Sequence, residues 1–283
     1  MNNPLSPKNQ LDPNAVALVG IPCDENSSFM RGPVDAPERI RELLHNGSSN
    51  ACAEDGTDLD SSPRFVDVGN LQLHNSANCI PQIESGITQL LNQDARVLSL
   101  GGDHAVTYPI VKAHARKYGN LNILHLDAHP DLYHEFEGNP FSHACPFARI
   151  MEEKLAIRLV QIGIRTLNPH QKAQAERFGV EIHQAKDWPP SGRTLESVLH
   201  FDGPVYLSLD MDVLDPAFAP GVSHHEPGGL SSREVLGIIQ AVKAPIVGAD
   251  IVELNPGRDP LGITGMAAVK FLKEIAAQML KDS

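Results

Sequence analysis

Two histidines and four aspartates, on three stretches far apart in the chain, are the residues whose types and spacing suit chemistry. His104 follows the run RVLSL and the pair Gly101-Gly102, with Asp103 beside it. Paired glycines let the backbone turn sharply and aim a side chain over the end of a strand. The run NILHL leads into Asp127, His129 and Asp131, whose spacing of i, i+2 and i+4 points all three to one side if the chain is extended. VYLSL leads into Asp210 and Asp212, which again share a side, with Met211 turned toward the core. Carboxylates this close need a cation between them, or one must take up a proton. A single histidine after a strand is more often a hydrogen-bonded structural residue, so the weight rests on the set. Asp215, just before Pro216, reads as a brace for the next turn and stays outside it.

These six side chains form a full shell for two divalent ions. Oxygen and nitrogen donors without thiolate suit manganese or magnesium rather than a structural zinc. Imidazole is a poor magnesium ligand, so two Mn2+ per chain are expected. Two such ions about 3.5–4 Å apart can share a water, lower its pKa and direct it at an electrophilic carbon or phosphorus, which is hydrolysis.

The elements that must position these residues are legible as apolar runs at 16–21, 65–68, 96–100, 122–127, 159–164, 179–183, 205–210 and 246–253, which read as about eight strands. Helical spacing occupies 36–45, 83–92, 106–118, 144–155, 169–177, 231–242 and 263–280. Alternation of strand and helix, with runs too apolar for a sheet with one wet face, predicts a three-layer α/β/α sandwich around a mainly parallel sheet. Ligands in such folds bind beyond the carboxyl ends of the strands, where the three clusters fall. A single domain over 1–283 is expected, with the polar stretch 46–63 as a surface excursion.

The formal charge of −12 argues against a nucleic-acid or anionic-membrane surface, and it suits a cationic ligand. No apolar run approaches the ~18 residues of a membrane span, and MNNPLSPKNQLDPN has neither a basic region nor an apolar core, so a cytoplasmic protein is expected. Cys23, Cys52, Cys79 and Cys145 lack C-x-x-C spacing and read as buried or idle thiols.

GGDHA at 101–105, DAHPD at 127–131 and SLDMDVLDPAFAPG at 208–221 resemble the three metal-binding blocks of the ureohydrolases, the arginases and agmatinases. NSSFMRGP at 26–33, FEGNPFSHACPFARIME at 136–152, GVSHHEPGGLS at 221–231 and VGADIVELNP at 247–256 look like plant-type arginases, so the likeness spans nearly the whole chain. It implies His104, Asp127, Asp131 and Asp210 around one manganese, and Asp127, His129, Asp210 and Asp212 around the other. It further implies a small cationic guanidino substrate, attacked to release urea and an amine, and a trimer or hexamer. Catalytic roles then fall to His143, Glu253 and Asp131. Glu253 would pair with the guanidinium, whose planar donors match a carboxylate, and His143 would protonate the departing amine. His224 would face the guanidinium, and Asn139 and Ser142 are the candidates for a substrate α-carboxylate. Ala105 and His225 depart from the family pattern, which touches tuning rather than reaction class.

Arginine is the lead substrate, with agmatine or another guanidino compound the alternative. A one-zinc deacetylase of similar fold fits less well, because it has no need of His104 beside the full set. A noncatalytic binding paralogue is the rival from another class, and such proteins usually lose ligands that are intact here.

Overall fold

The computed structural model describes residues 11–74 and 79–281. Eight short strands, β1 (Val16–Gly20), β2 (Phe65–Asn70), β3 (Arg96–Leu100), β4 (Asn122–Leu126), β5 (Arg158–Ile164), β6 (Glu181–Gln184), β7 (Val205–Asp210) and β8 (Ile246–Val252), form one sheet. Its order is β2-β1-β3-β8-β7-β4-β5-β6, and every pairing is parallel. Parallel strands need crossovers, and the helices α1 (Ala36–His45), α2 (Cys79–Leu91), α3 (Thr107–Tyr118), α4 (Pro146–Glu152), α5 (Pro169–Phe178), α6 (Leu195–Val198), α7 (Ser232–Ala241) and α8 (Ile263–Leu280) supply most of them.

Successive side chains of a strand face opposite sides, and the two cores follow from that alternation. Val16, Leu18, Leu98, Leu100, Leu124 and Leu126 pack with Ile40 of α1, Val235 and Ile239 of α7, and Phe271 and Ile275 of α8. Ala17, Val19, Val97, Ile123 and Leu159 pack on the other side with Ile83 and Ile87 of α2, Ile110 and Val111 of α3, and Phe147 of α4. The result is the expected α/β/α sandwich. Burial on both faces explains why β1, β3, β4, β7 and β8 are buried at every residue.

The helices are cut where local chemistry predicts. Asn168 caps α5 through its side chain, and Ser231 with Glu234 forms a reciprocal box at the start of α7. The four-residue α6 lacks a periodic pattern long enough to register in the sequence.

The polar stretch 46–63 is more firmly seated than a surface excursion. Ala51 and Leu59 enter the core of the α1/α7/α8 layer, Glu274 of α8 accepts from Glu54 N at 2.7 Å, and Lys273 donates to Asn50 O at 2.9 Å.

Candidate metal centre

β3, β8, β7 and β4 are neighbours in the middle of the sheet, and their carboxyl ends carry His104, Glu253, Asp210 with Asp212, and Asp127 with His129 and Asp131. All of these except His129 are at least nine-tenths buried. Gly102 is needed for closeness: a Cβ there would lie 1.8 Å from the carbonyl oxygen of Cys23, so only glycine lets the β1 loop pack against this turn.

Convergence is achieved by turns rather than by extended chain. β4 ends at Leu126, Asp127 Oδ1 accepts the His129 N–H, and Asp131 adopts a left-handed φ of 49°. Glu253 is also left-handed, at 64°. Such backbone is strained for a residue with a Cβ and persists where surrounding structure holds it. Asp210 Oδ1 similarly accepts the Asp212 N–H at 2.8 Å.

His104 Nδ1 lies 3.1 Å from Asp127 Oδ2, 3.2 Å from Asp131 Oδ2 and 3.1 Å from Asp210 Oδ2, yet it lacks the alignment a hydrogen bond requires. Its tautomer follows from the neighbours. Asp250, fully buried, accepts from Thr107 Oγ1, Tyr206 OH and Ser208 Oγ at 2.6–2.8 Å. The Ser208 hydroxyl proton is therefore spent on Asp250, and Ser208 Oγ must accept from His104 Nε2–H at 2.9 Å. That leaves a lone pair on Nδ1 facing three carboxylate oxygens, an arrangement that calls for a cation. His129 Nδ1 stands 3.0 Å from Asp212 Oδ2 and 3.4 Å from Asp127 Oδ1, facing the same cluster. The donor set thus fits divalent metal, with Asp127 common to both histidine groups.

Titration directions agree with this reading. Burial pushes the Asp210 carboxyl well above its usual range, with Asp212 and Asp127 adding repulsion. Burial opposes charge on His104, but Asp127, Asp131 and Asp210 outweigh it and hold the ring well above an ordinary imidazole. Without metal, the cluster is a place where protons stand in for cations.

His125 lies within donor range of the cluster but is not free to ligate. Gln161 Nε2 donates to Pro130 O at 2.7 Å and to His125 Nδ1 at 3.0 Å, which forces Nε2–H of His125 onto Asp127 Oδ2 at 2.7 Å. Both ring nitrogens are thereby used, and the ring stacks on Phe147 with centroids 3.8 Å apart. His125 orients Asp127. The sequence reading passed over it, although its place two residues before Asp127 on the same strand face was the available signal.

Glu253 Oε1 accepts from His104 N at 2.9 Å and from His143 Nδ1 at 2.8 Å. Burial disfavours a charge on His143, but Glu253 prevails and its pKa is pushed up to about 9. Opposing this, Ser28 N–H approaches His143 Nε2 at 3.2 Å and favours a lone pair there, while Ser28 Oγ, at 2.8 Å, can serve either state. The ring is poised between two proton states.

A cavity of about 190 Å³ opens over the cluster, lined by His129, Asp131, Asp210, Asp212, His143, His224 and Glu253. Burial lowers the His224 pKa, and its ring lies 5.2 Å from that of His143 and 5.9 Å from that of His129. Asp215 takes backbone N–H bonds from Gly228 at 2.7 Å and Gly229 at 3.2 Å, bracing the loop that carries His224. Tyr133, Phe136, Thr166, Gln171 and Glu226 add to the wall together with Ser28 and Ala144, and none of them was singled out in the sequence.

Asn139 and Ser142 do not line this cavity. Asn139 Nδ2 donates to Asn26 Oδ1 at 3.1 Å and its Oδ1 accepts from Phe141 N at 2.9 Å, so both polar atoms take part in holding loops together. Ser142 is buried in a separate pocket with Ala105 and Tyr108. His225 is exposed and bonds to Pro220 O at 2.7 Å.

Residues 14–277 match the arginase family model. The mitochondrial arginase 1 of Arabidopsis thaliana is 45% identical over 279 residues, covering 94% of this chain and 82% of its own. An agmatinase of Bacillus cereus is 34% identical over 274 residues, covering 94% and 92%. The arginase structure from Medicago truncatula superposes with a TM-score of 0.87 at 42% identity, covering 93% of this chain and 87% of that one.

The cytoplasmic expectation is corrected by the same comparison, since plant relatives carry mitochondrial, or chloroplastic and mitochondrial, in their names. The expectation rested on the composition of residues 1–14, which does not specify a compartment.

Proposed function

The chain belongs to the arginase family of ureohydrolases, and from that premise we propose that it hydrolyses L-arginine to L-ornithine and urea with two Mn2+ per chain, agmatine being the second substrate. Breadth of identity with a plant arginase favours arginine, and the agmatinase relative supports the alternative. The proposed unit is one domain over 1–283, assembled as a trimer or hexamer.

His104, Asp127, Asp131 and Asp210 would hold one ion, and Asp127, His129, Asp210 and Asp212 the other. Bound there, the metals supply Lewis-acid activation of water toward a carbon electrophile. The Asp250–Ser208–His104 chain and the Gln161–His125–Asp127 chain orient two of the ligands before any metal arrives.

Glu253 receives the guanidinium. Its Oε1 is saturated by His104 N–H and His143, which leaves Oε2 to accept from the substrate. His143, ion-paired to Glu253, gives its proton to the departing amine and recovers one from solvent through the cavity. His224 closes the roof over the planar group. The far end of the substrate meets Tyr133, Thr166, Gln171 and Glu226.

The observation that carries the proposal is the lone pair of His104 Nδ1 set among three carboxylates within 3.2 Å. The test is urea release from arginine, agmatine, guanidinobutyrate and guanidinopropionate after manganese loading. Arginine should rank first; silence on all four would sink the reading.

A further inference from the structure

Two of the cysteines that read as idle thiols meet behind the site. Cys23 Sγ lies 2.7 Å from Cys79 Sγ, although 56 residues separate them, and both thiols are free and buried. We propose that Cys23 and Cys79 form a reversible disulfide, a redox clasp that ties the loop after β1 to the first turn of α2.

The two sulfurs are not equivalent. Cys79 is the first residue of the 13-residue α2 among the described residues, where the helix dipole and its own backbone N–H favour a thiolate. Cys23 donates its S–H to Cys79, which lowers the Cys79 pKa and raises that of Cys23. One partner is therefore the nucleophile and the other the resolving thiol. Exposures of 1% and 4% restrict the oxidant to a small molecule, and hydrogen peroxide is the one proposed.

The Cys79 thiolate attacks one peroxide oxygen, the O–O bond breaks, and the hydroxide released takes up a proton to become water. Cys23 sulfur then attacks the sulfenic sulfur, and its own proton leaves with the hydroxyl as a second water. Two thiols are oxidised and one peroxide is reduced. A bond length of about 2.0 Å asks for a small closing movement of side chains already in contact.

The clasp bears on the site through backbone. Cys23 O accepts the Asp103 N–H at 3.0 Å, Asn26 N donates to Asp103 Oδ2 at 2.9 Å, and Ser28 in the same loop contacts His143. Fixing Cys23 to α2 holds that loop against the His104 turn, so the expected gain is in stability. Crosslinks across such spans raise Tm by about 5 °C in a chain of this size.

The experiment compares full-length protein reduced with dithiothreitol and protein exposed to hydrogen peroxide. Unreduced peptide mapping should find Cys23 joined to Cys79, the intact mass should fall by two hydrogens, and Tm should rise by about 5 °C. Cys79→Ser and, as a second variant, Cys23→Ala should lose the mass change and the Tm rise, while releasing urea like the reduced parent. Alkylation of both thiols after peroxide, a bridge through Cys52 or Cys145, or an unchanged Tm in bridged protein would overturn the proposal. All of these readouts are independent of which guanidino compound is hydrolysed.

Discussion

His104 and His114 stand ten residues apart, one just before α3 and one within it, and both are completely buried, but the chain uses them in opposite ways. His104 lies at the carboxyl edge of the sheet, with Ser208 on one nitrogen and three carboxylates around the other, and is held well above an ordinary imidazole. His114 faces the sheet interior, where Nδ1 donates to Ile110 O at 2.9 Å, Nε2 has no hydrogen-bond partner among the described residues, and the ring packs over Gly248 and against Tyr206. Burial drives its pKa down to about 4. Burial alone makes a histidine a neutral filler, whereas burial among anions makes it part of a cation site.

Removing the anions at the first histidine should break the contrast most severely. Asp127→Ala strips an oxygen from both proposed ion sites, and manganese-dependent urea release should fall by at least about 10³-fold. Elemental analysis should show less than two Mn2+ per chain, and circular dichroism should be unchanged. Retained activity would mean that the cluster is not the reactive centre.

His143→Asn keeps Glu253 but loses the proton carrier, for which a fall of about 10²-fold in kcat is expected. The same variant tests a pH effect in the metal-free protein. With its folded pKa near 9 and an unfolded value of 6.5, charge on His143 stabilises the fold fully below pH 6.5, and that stability is lost as pH rises through 9. Urea-denaturation midpoints should fall over that interval in the parent and less in the variant.

His125→Asn asks whether orientation of Asp127 matters without removing a ligand. Manganese affinity, read by calorimetry, should weaken by about 10-fold or more, with the secondary structure unaltered. An unchanged affinity would demote His125 to packing.

The smallest effect on activity belongs to the other histidine. His114→Leu should leave urea release within about twofold of the parent. Between pH 6.5 and 4 the unfolded parent binds a proton that the folded one refuses, so parent stability should drop by about 3 kcal/mol more than that of the variant. A loss of activity in His114→Leu would erase the distinction between the two rings.

Much of this arrangement was legible beforehand. The apolar runs predicted eight strands, and α1 over 36–45 and α8 over 263–280 match the periodic stretches, because a buried face imposes its period on the residues. α2 begins four residues before the stretch read from 83, since CIPQ lacks the apolar period of the residues after it. The three clusters were found because charged residues at the ends of buried strands have no packing explanation. Their geometry was not found: extended chain was assumed at 127–131, where an Asp side chain bonded to backbone and a left-handed Asp131 make a turn. Cavity walls such as Tyr133, Gln171 and Glu226 come from loops without period or charge pattern, and their meeting is a product of tertiary structure. A loop asparagine such as Asn139, bonded to neighbouring loop atoms, looks the same in sequence as one offered to a ligand.

The position of β8 between β3 and β7 has a consequence for how the molecule comes into being. The last of these eight strands to leave the ribosome fills the centre of the sheet, so two half-sheets with bare inner edges must wait for residues 246–252. Pairing across such sequence separations is slow. Until β8 arrives, the facing edges of β3 and β7 offer unpaired N–H and C=O groups to any other strand, which is where a nascent chain of this topology is open to aggregation.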